Sequence, residues 1–233
     1  MSEFVFQQFS LNHSKSSMKI GTDAILLGAF AYIDQADKIL EIGTGSGIIA
    51  LMLAQRSSAY ISAIDIHEPS VFQARENFES SPWSNRLRAI HSSLQKFNPE
   101  CTYDQIISNP PYFSNSLKSA SENKNLARHN DTLSPDELAW HVKRLLTEKG
   151  CFSCILPYDQ KSGYCRAFNA VSLYPQKIIN IHPKPSRDIN RVILQFSKQE
   201  ITPRTTSFTL RDSDNNYSAE YRILTKDFHP EKH

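Results

Sequence analysis

The stretch Lys-Ile-Leu-Glu-Ile-Gly-Thr-Gly-Ser-Gly, from Lys38 to Gly47, constrains this chain more than any other. A short apolar run ends in glycines at alternate positions, Gly43, Gly45 and Gly47, and an apolar, helix-forming segment follows from Ile48 to Gln55. That order predicts a strand, a tight turn and a helix whose N-terminus faces a polar or anionic ligand. A dinucleotide fingerprint would need glycine at the first, third and sixth places, and the sixth place here is Ile48. Asp65 closes the next apolar run, Tyr60-Ile61-Ser62-Ala63-Ile64. A carboxylate at such a strand end can take both ribose hydroxyls of an adenosine.

Around this unit, strand-like and helix-like stretches alternate, which predicts an α/β fold with a mostly parallel, Rossmann-like sheet and helices on both faces. Strands are expected at 38–42, 60–65, 86–91, 103–108, 150–156, 177–182 and 191–197. Helices fit at 46–56, 69–80, 134–147 and 159–171, and Asp23 to Ala31 also reads as helical. Ser134-Pro135-Asp136-Glu137 makes a good helix start. The last two strands are joined by Pro183-Lys184-Pro185-Ser186-Arg187-Asp188, too short for a crossover helix, so they should pair antiparallel as a C-terminal hairpin. A chain of 233 residues can bury one substantial core. One domain over 1–233 is expected, with 1–37 as an N-terminal cap and 199–233 as a C-terminal extension.

Asn109-Pro110-Pro111-Tyr112 follows the run Gln105-Ile106-Ile107-Ser108. Two prolines cannot continue an internal strand, so the chain leaves its sheet there. The residue before a proline is pushed toward extended backbone, which holds Asn109 open at the strand end, where substrates sit in such sheets. The Asn109 side-chain oxygen and the Pro110 carbonyl then form a pair of acceptors suited to a planar group bearing an NH2. Gripping both N–H bonds frees the nitrogen lone pair for attack on an electrophile. It also stabilises the positive charge that develops on nitrogen, so no base is required. Tyr112 offers a ring face for a flat base.

The motifs Glu41-Ile42-Gly43-Thr44-Gly45-Ser46-Gly47, Asp65 and Asn109-Pro110-Pro111-Tyr112 resemble those of S-adenosylmethionine-dependent amino methyltransferases. Flanking segments resemble one branch, the bacterial tRNA1(Val) adenine N6-methyltransferase family. They are Met18-Lys19-Ile20-Gly21-Thr22-Asp23-Ala24-Ile25-Leu26-Leu27-Gly28, Ser81-Pro82-Trp83, Ala127-Arg128-His129 and Tyr217-Ser218-Ala219-Glu220-Tyr221. The resemblance runs from about Phe4 to the C-terminus. It implies the seven-stranded methyltransferase sheet with a reversed terminal hairpin, S-adenosylmethionine as cofactor, and methylation at adenosine 37 in the anticodon loop of tRNA1(Val). It also implies that Thr22 and Asp23 lie near the methionine end of the cofactor, and that Asn109 to Tyr112 hold the base. One departure stands out. Many relatives carry Asp at the end of the third strand, near the adenine amine; here Ala89-Ile90-His91-Ser92-Ser93-Leu94 puts Ser93 in that place. Ser93 and Leu94 remain candidate cofactor contacts, with a hydroxyl that accepts one bond without charge.

Net charge is only +2, but it is unevenly spread. From residue 160 onward twelve Lys or Arg face seven Asp or Glu, +5, which leaves −3 for the first 159 residues. Lys118, Lys124, Arg128 and His129, with Arg187 and Arg191, are the candidate contacts to RNA phosphates such as those of an anticodon stem-loop. The Ser- and Asn-rich stretch 113–133 reads as a loop over the pocket. No apolar run approaches a membrane span and Met1 to Asn12 does not read as a secretory leader, so a cytoplasmic location is expected; the expected oligomeric state is a monomer. Cys151 and Cys154 sit three apart on a strand and point to opposite faces, so they cannot share a metal; Cys101 and Cys165 lack a motif, and the eight histidines show no metal-binding spacing.

Three other functions use similar parts. A protein-glutamine N5-methyltransferase uses the same Asn-Pro-Pro-Tyr on an amide but carries a helical substrate domain before the sheet, and only 37 residues precede the first strand here. An rRNA guanine N2-methyltransferase is chemically compatible. A non-catalytic cofactor-binding scaffold should have lost Asn109 and Tyr112.

Overall fold

The computed structural model describes residues 3–16, 20–111 and 133–229. A small antiparallel ladder, β1 (Glu3–Val5) with β2 (Ser10–Asn12), precedes helix α1 (Thr22–Phe30). Then follow β3 (Lys38–Ile42), α2 (Ile48–Arg56), β4 (Tyr60–Asp65), α3 (Glu68–Glu79), β5 (Leu87–His91) and β6 (Tyr103–Ser108). After the stretch outside the described residues come α4 (Pro135–Leu145), β7 (Leu146–Pro157), α5 (Lys161–Ala170), β8 (Tyr174–His182), β9 (Arg191–Ser197), β10 (Arg204–Thr209) and α6 (Ala219–Thr225).

The large sheet has the order β10-β8-β9-β7-β6-β3-β4-β5. All pairings are parallel except those of β9, which runs antiparallel between β7 and β8. The seven expected strands are therefore present with their reversed hairpin, and an eighth, β10, lies parallel to β8 at the edge. The strand expected at 150–156 starts earlier, at Leu146, directly after α4. α4 is the helix with the strongest start: Ser134 accepts from the Glu137 amide at 3.2 Å, and Glu137 in turn accepts from the Ser134 amide at 3.0 Å, a capping box.

The two faces of the sheet separate along each strand with the period of two that a pleat imposes. Ile39 and Ile193 pack with α1, α2 and α3, while Leu40, Ile42, Val192 and Leu194 pack with α4 and α5. Gly28 lets α1 lie directly on α2: a Cβ there would stand 2.7 Å from the Met52 sulfur. Arg56 at the end of α2 reaches back to the Gly28 and Ala31 carbonyls at 2.7 and 3.1 Å and fixes the exit of α1. The sheet order reverses between β3 and β6, and the crevice outside their carboxyl ends is where such folds bind ligands.

All four cysteines carry free thiols, and burial pushes the Cys151 thiol up to about 12 and the Cys154 thiol well above its ordinary value. Among the described residues no His, Cys, Asp and Glu cluster could hold a metal, and no helix is long and apolar enough to cross a membrane.

Candidate active site

The turn after β3 takes the form its glycines permit. Gly43, Gly45 and Gly47 have φ of 77°, 55° and 85°, the left-handed region that side chains disfavour. The Gly43 and Thr44 amides donate to the Ile64 carbonyl at 2.8 and 3.0 Å, and the Gly47 amide donates to the Thr44 carbonyl at 2.9 Å. Gly47 is also sterically obligatory, since a Cβ would lie 2.5 Å from the Phe78 ring. At Gly43 a Cβ would meet nothing within 4 Å, because this residue lines open space. That space is a cleft of about 350 Å³, within the range of small-molecule sites. Its walls include Gly43 to Ser46, Asp65, Ser93, Leu94, Asn109, Pro110 and Asp23.

Two carboxylates flank the turn in opposite environments. Asp65 stands on the cleft wall, its oxygens accepting the Gly45 amide at 2.8 Å and the His67 amide at 2.9 Å. Glu41 lies beneath the turn, fully buried. One of its oxygens accepts the Thr44 hydroxyl at 2.7 Å and the Ala50 amide at 3.1 Å, while the other, Oε1, has no hydrogen-bond partner among the described residues. Burial first, with the nearby Asp65 charge adding to it, pushes the Glu41 carboxyl up to about 8. The fold thus favours the neutral form of Glu41.

Opposite the turn, β6 ends at Ser108, whose hydroxyl donates to the Ile42 carbonyl at 3.0 Å and ties the end of β6 to the start of the glycine turn. This places Asn109, half-buried, and Pro110, buried, on the cleft wall, with Pro111 at its exposed edge. Tyr112 lies outside the described residues, as do Lys118, Lys124, Arg128 and His129. Asp23 also lines the cleft, and its Oδ2 accepts from Arg191 Nε at 2.9 Å across a sequence separation of 168. Arg191 therefore makes a side-chain ion pair at the site rim. Arg187 is exposed in the β8–β9 connection at the same end of the sheet, where its carbonyl is hydrogen-bonded to His182 Nδ1 at 3.0 Å. Thr22 opens α1 and Gly47 closes the turn, but neither is on the cleft wall, which takes Gly21 and Ser46 instead.

The cleft also takes in Ile20, Ile66, His67, Gln95 and Leu133, none of them read from the sequence as site residues. Ile66 and His67 directly follow Asp65 and share the cleft wall with Ser93 and Leu94, and their place at the carboxyl end of β4 is the signal that could have found them. A purine nucleoside cofactor fits these walls. Gly43 and Gly45 present bare backbone to the cleft, and Asp65 lines it beside them.

The Methyltransferase small domain family profile matches residues 7–138. Over 226 residues the chain is 42% identical to the tRNA1(Val) (adenine(37)-N6)-methyltransferase of Phocaeicola vulgatus, and over 229 residues it is 39% identical to that of Parabacteroides distasonis; each alignment covers 97% of both chains. A solved structure of a predicted O-methyltransferase from Agrobacterium tumefaciens superposes with a TM-score of 0.69 at 18% identity, covering 88% of this chain and 96% of that one. At that identity the likeness concerns the fold.

Proposed function

This chain belongs to the tRNA1(Val) (adenine(37)-N6)-methyltransferase family, and from that premise we propose that it moves a methyl group from S-adenosylmethionine to N6 of adenosine 37 in tRNA1(Val). The observation that carries this reading is the meeting of Asn109 and Pro110 with the glycine turn and Asp65 around one cleft. S-adenosylmethionine supplies the methyl group: the N6–carbon bond forms as the carbon–sulfur bond breaks, the electron pair goes to sulfur, and the surplus N6 proton leaves to water.

The protein binds, orients and stabilises charge. Backbone at Gly43 to Ser46 and the Asp65 carboxylate hold the cofactor's ribose side, with Ser93 and Leu94 beside its adenine and Asp23 toward its methionine end. Glu41 supports the turn from below. The Asn109 Oδ1 and the Pro110 carbonyl accept the two N6–H bonds of the flipped base and meet the positive charge that grows there. Tyr112 would stack on that base. An anticodon-loop adenosine is cheap to unstack, which suits a site that must take the base alone. Arg187, with Lys118, Lys124, Arg128 and His129, would hold phosphates of the anticodon stem, and Arg191 would add to them from the rim. On this reading the enzyme works in the cytoplasm, where tRNA is, as one catalytic domain over 1–233.

The test is a methylation assay on an unmodified valine tRNA transcript with nucleoside mass spectrometry. N6-methyladenosine should appear, and replacing adenosine 37 with guanosine should abolish it. Undiminished methylation of the guanosine transcript would move the assignment to a guanine N2 enzyme, and incorporation into a glutamine-bearing protein would move it to a protein-glutamine enzyme.

A further inference from the structure

Helix α3 buries a polar row. Ser70, Gln73 and Asn77, spaced by three and four and so on one face, are at most 3% exposed. A face turned to a protein interior is ordinarily apolar, and buried polar groups are kept only where they are bonded. These three are bonded to the segment 12–16 and to the site. Ser70 Oγ pairs with Nδ1 of the cleft residue His67 at 2.8 Å. Gln73 Oε1 receives the Lys15 amide at 3.3 Å and the Ser14 hydroxyl at 3.4 Å.

Asn77 makes the central contact. Its Oδ1 accepts the Asn12 amide at 2.9 Å, and its Nδ2 donates to the Asn12 carbonyl and to the Ser46 carbonyl, each at 2.8 Å. One side-chain amide thus pairs with the N-terminal segment as a strand would and holds the glycine turn as well. The segment lies close over that turn: Ser16 Oγ would be 3.3 Å from a Cβ at Gly45. Ser46 is itself a wall of the cleft, while Ile20, Gly21 and Asp23 beyond the segment form another part of it.

We propose that Asn77 is a positioning residue for cofactor binding, clasping the segment at Asn12 and the glycine turn at Ser46 in the register that the cofactor requires. The proposal rests on the reading that the cleft holds S-adenosylmethionine. It assigns Asn77 to cofactor affinity and leaves the methyl-transfer step to Asn109 and Pro110.

Asn77→Asp keeps the shape and the acceptor for the Asn12 amide but sets an oxygen against the Asn12 and Ser46 carbonyls. Protonation of that Asp would restore one donor. Affinity for S-adenosylhomocysteine, measured by calorimetry, should therefore fall tenfold or more at pH 8 and recover by at least threefold at pH 5.5, relative to wild type at each pH. The turnover number at saturating cofactor should stay within about threefold of wild type. Unchanged affinity at both pH values, or a turnover loss with unchanged affinity, would overturn the proposal, as would a loss without pH recovery.

Hydrogen exchange of the wild-type protein gives a test that needs no variant. S-adenosylhomocysteine should slow exchange at the Asn12 and Lys15 amides several-fold, and unchanged exchange in the bound protein would overturn the proposal even if Asn77→Asp fails to fold. If wild type binds no S-adenosylhomocysteine, the cofactor reading has failed instead, and with it the ground of this inference.

Discussion

On the wall made by β3 and β4 the cleft is shaped by backbone: a turn with three glycines at positive φ, the Gly43 and Thr44 amides crossing to the end of β4, and a carboxylate pinned by the Gly45 and His67 amides. Beside the cleft, at the end of the sheet where β8 turns into β9, the surface carries long side chains, one of them paired with the cleft residue Asp23 168 positions away and another exposed. The first wall leaves few alternatives for sequence or geometry. The second tolerates many, because a cation near a phosphate needs only to be in reach. A cofactor common to a whole class of enzymes suits the rigid wall, and the RNA suits the adaptable rim. Between them stand Asn109 and Pro110, fixed by the end of β6.

If that division holds, the largest effect belongs to the fixed acceptor. Asn109→Ala should lower the methylation rate on the order of a hundredfold or more, the loss expected for a preorganised charge-stabilising group, with cofactor affinity within about twofold of wild type. Single-turnover kinetics beside calorimetry would separate the two. Near-wild-type turnover would remove Asn109 from the clamp and break the comparison at its centre.

Next in size is the rigid wall itself. Asp65→Ala should weaken S-adenosylmethionine binding about tenfold or more, the loss expected if the carboxylate takes the two ribose hydroxyls as proposed. Unfolding should remain cooperative, because the Gly45 and His67 amides that Asp65 accepts lie at the open cleft and water can replace it there. Binding that survives unchanged would mean the ribose is held elsewhere. This wall was legible in the sequence because its geometry is forced: alternate glycines have few other uses after a strand, and a strand-end Asp stands at a fixed place. The Asn-Pro-Pro run was legible for the same reason.

What was not legible lacks such a signature. β10 reads Arg-Thr-Thr-Ser-Phe-Thr and buries only Phe208, so no apolar alternation announces an eighth strand. β1 and β2, three residues each, are too short for any period to appear. Asn77 on a mostly polar helix looks like a surface residue, and only the fold shows that it faces inward. The pairing of Arg191 with Asp23 likewise has no signature in the sequence, since it follows from topology that brings the start of β9 beside the start of α1.

The adaptable rim should give a smaller and different effect. Arg187→Ala should weaken RNA binding a few-fold, uniformly across RNA sequences, and reduce the slope of log affinity against log salt by about one. Cofactor affinity should not move. Fluorescence anisotropy over a salt series checks this, and a loss confined to one RNA sequence would make Arg187 a base reader and blur the distinction between wall and rim.

The smallest effect on activity at pH 7 is expected at Glu41, although it lies deepest in the rigid wall. Its carboxyl is pushed up to about 8 in the fold by burial, against about 4.5 when exposed. Between those values the native state holds a proton that the unfolded chain has released. Stability must therefore fall as pH rises from about 4.5 to about 8, and the fall levels off above that range once the carboxyl ionises in both states. Glu41→Gln keeps the acceptor for Thr44 and Ala50 and removes the titration. Cofactor affinity at pH 7 should stay within about twofold of wild type. Relative to wild type, the variant should gain in urea midpoint steadily from pH 5 to pH 8. Parallel curves for the two proteins would show that Glu41 is already ionised beneath the turn, and the wall would then rest on a buried charge rather than on a neutral acid.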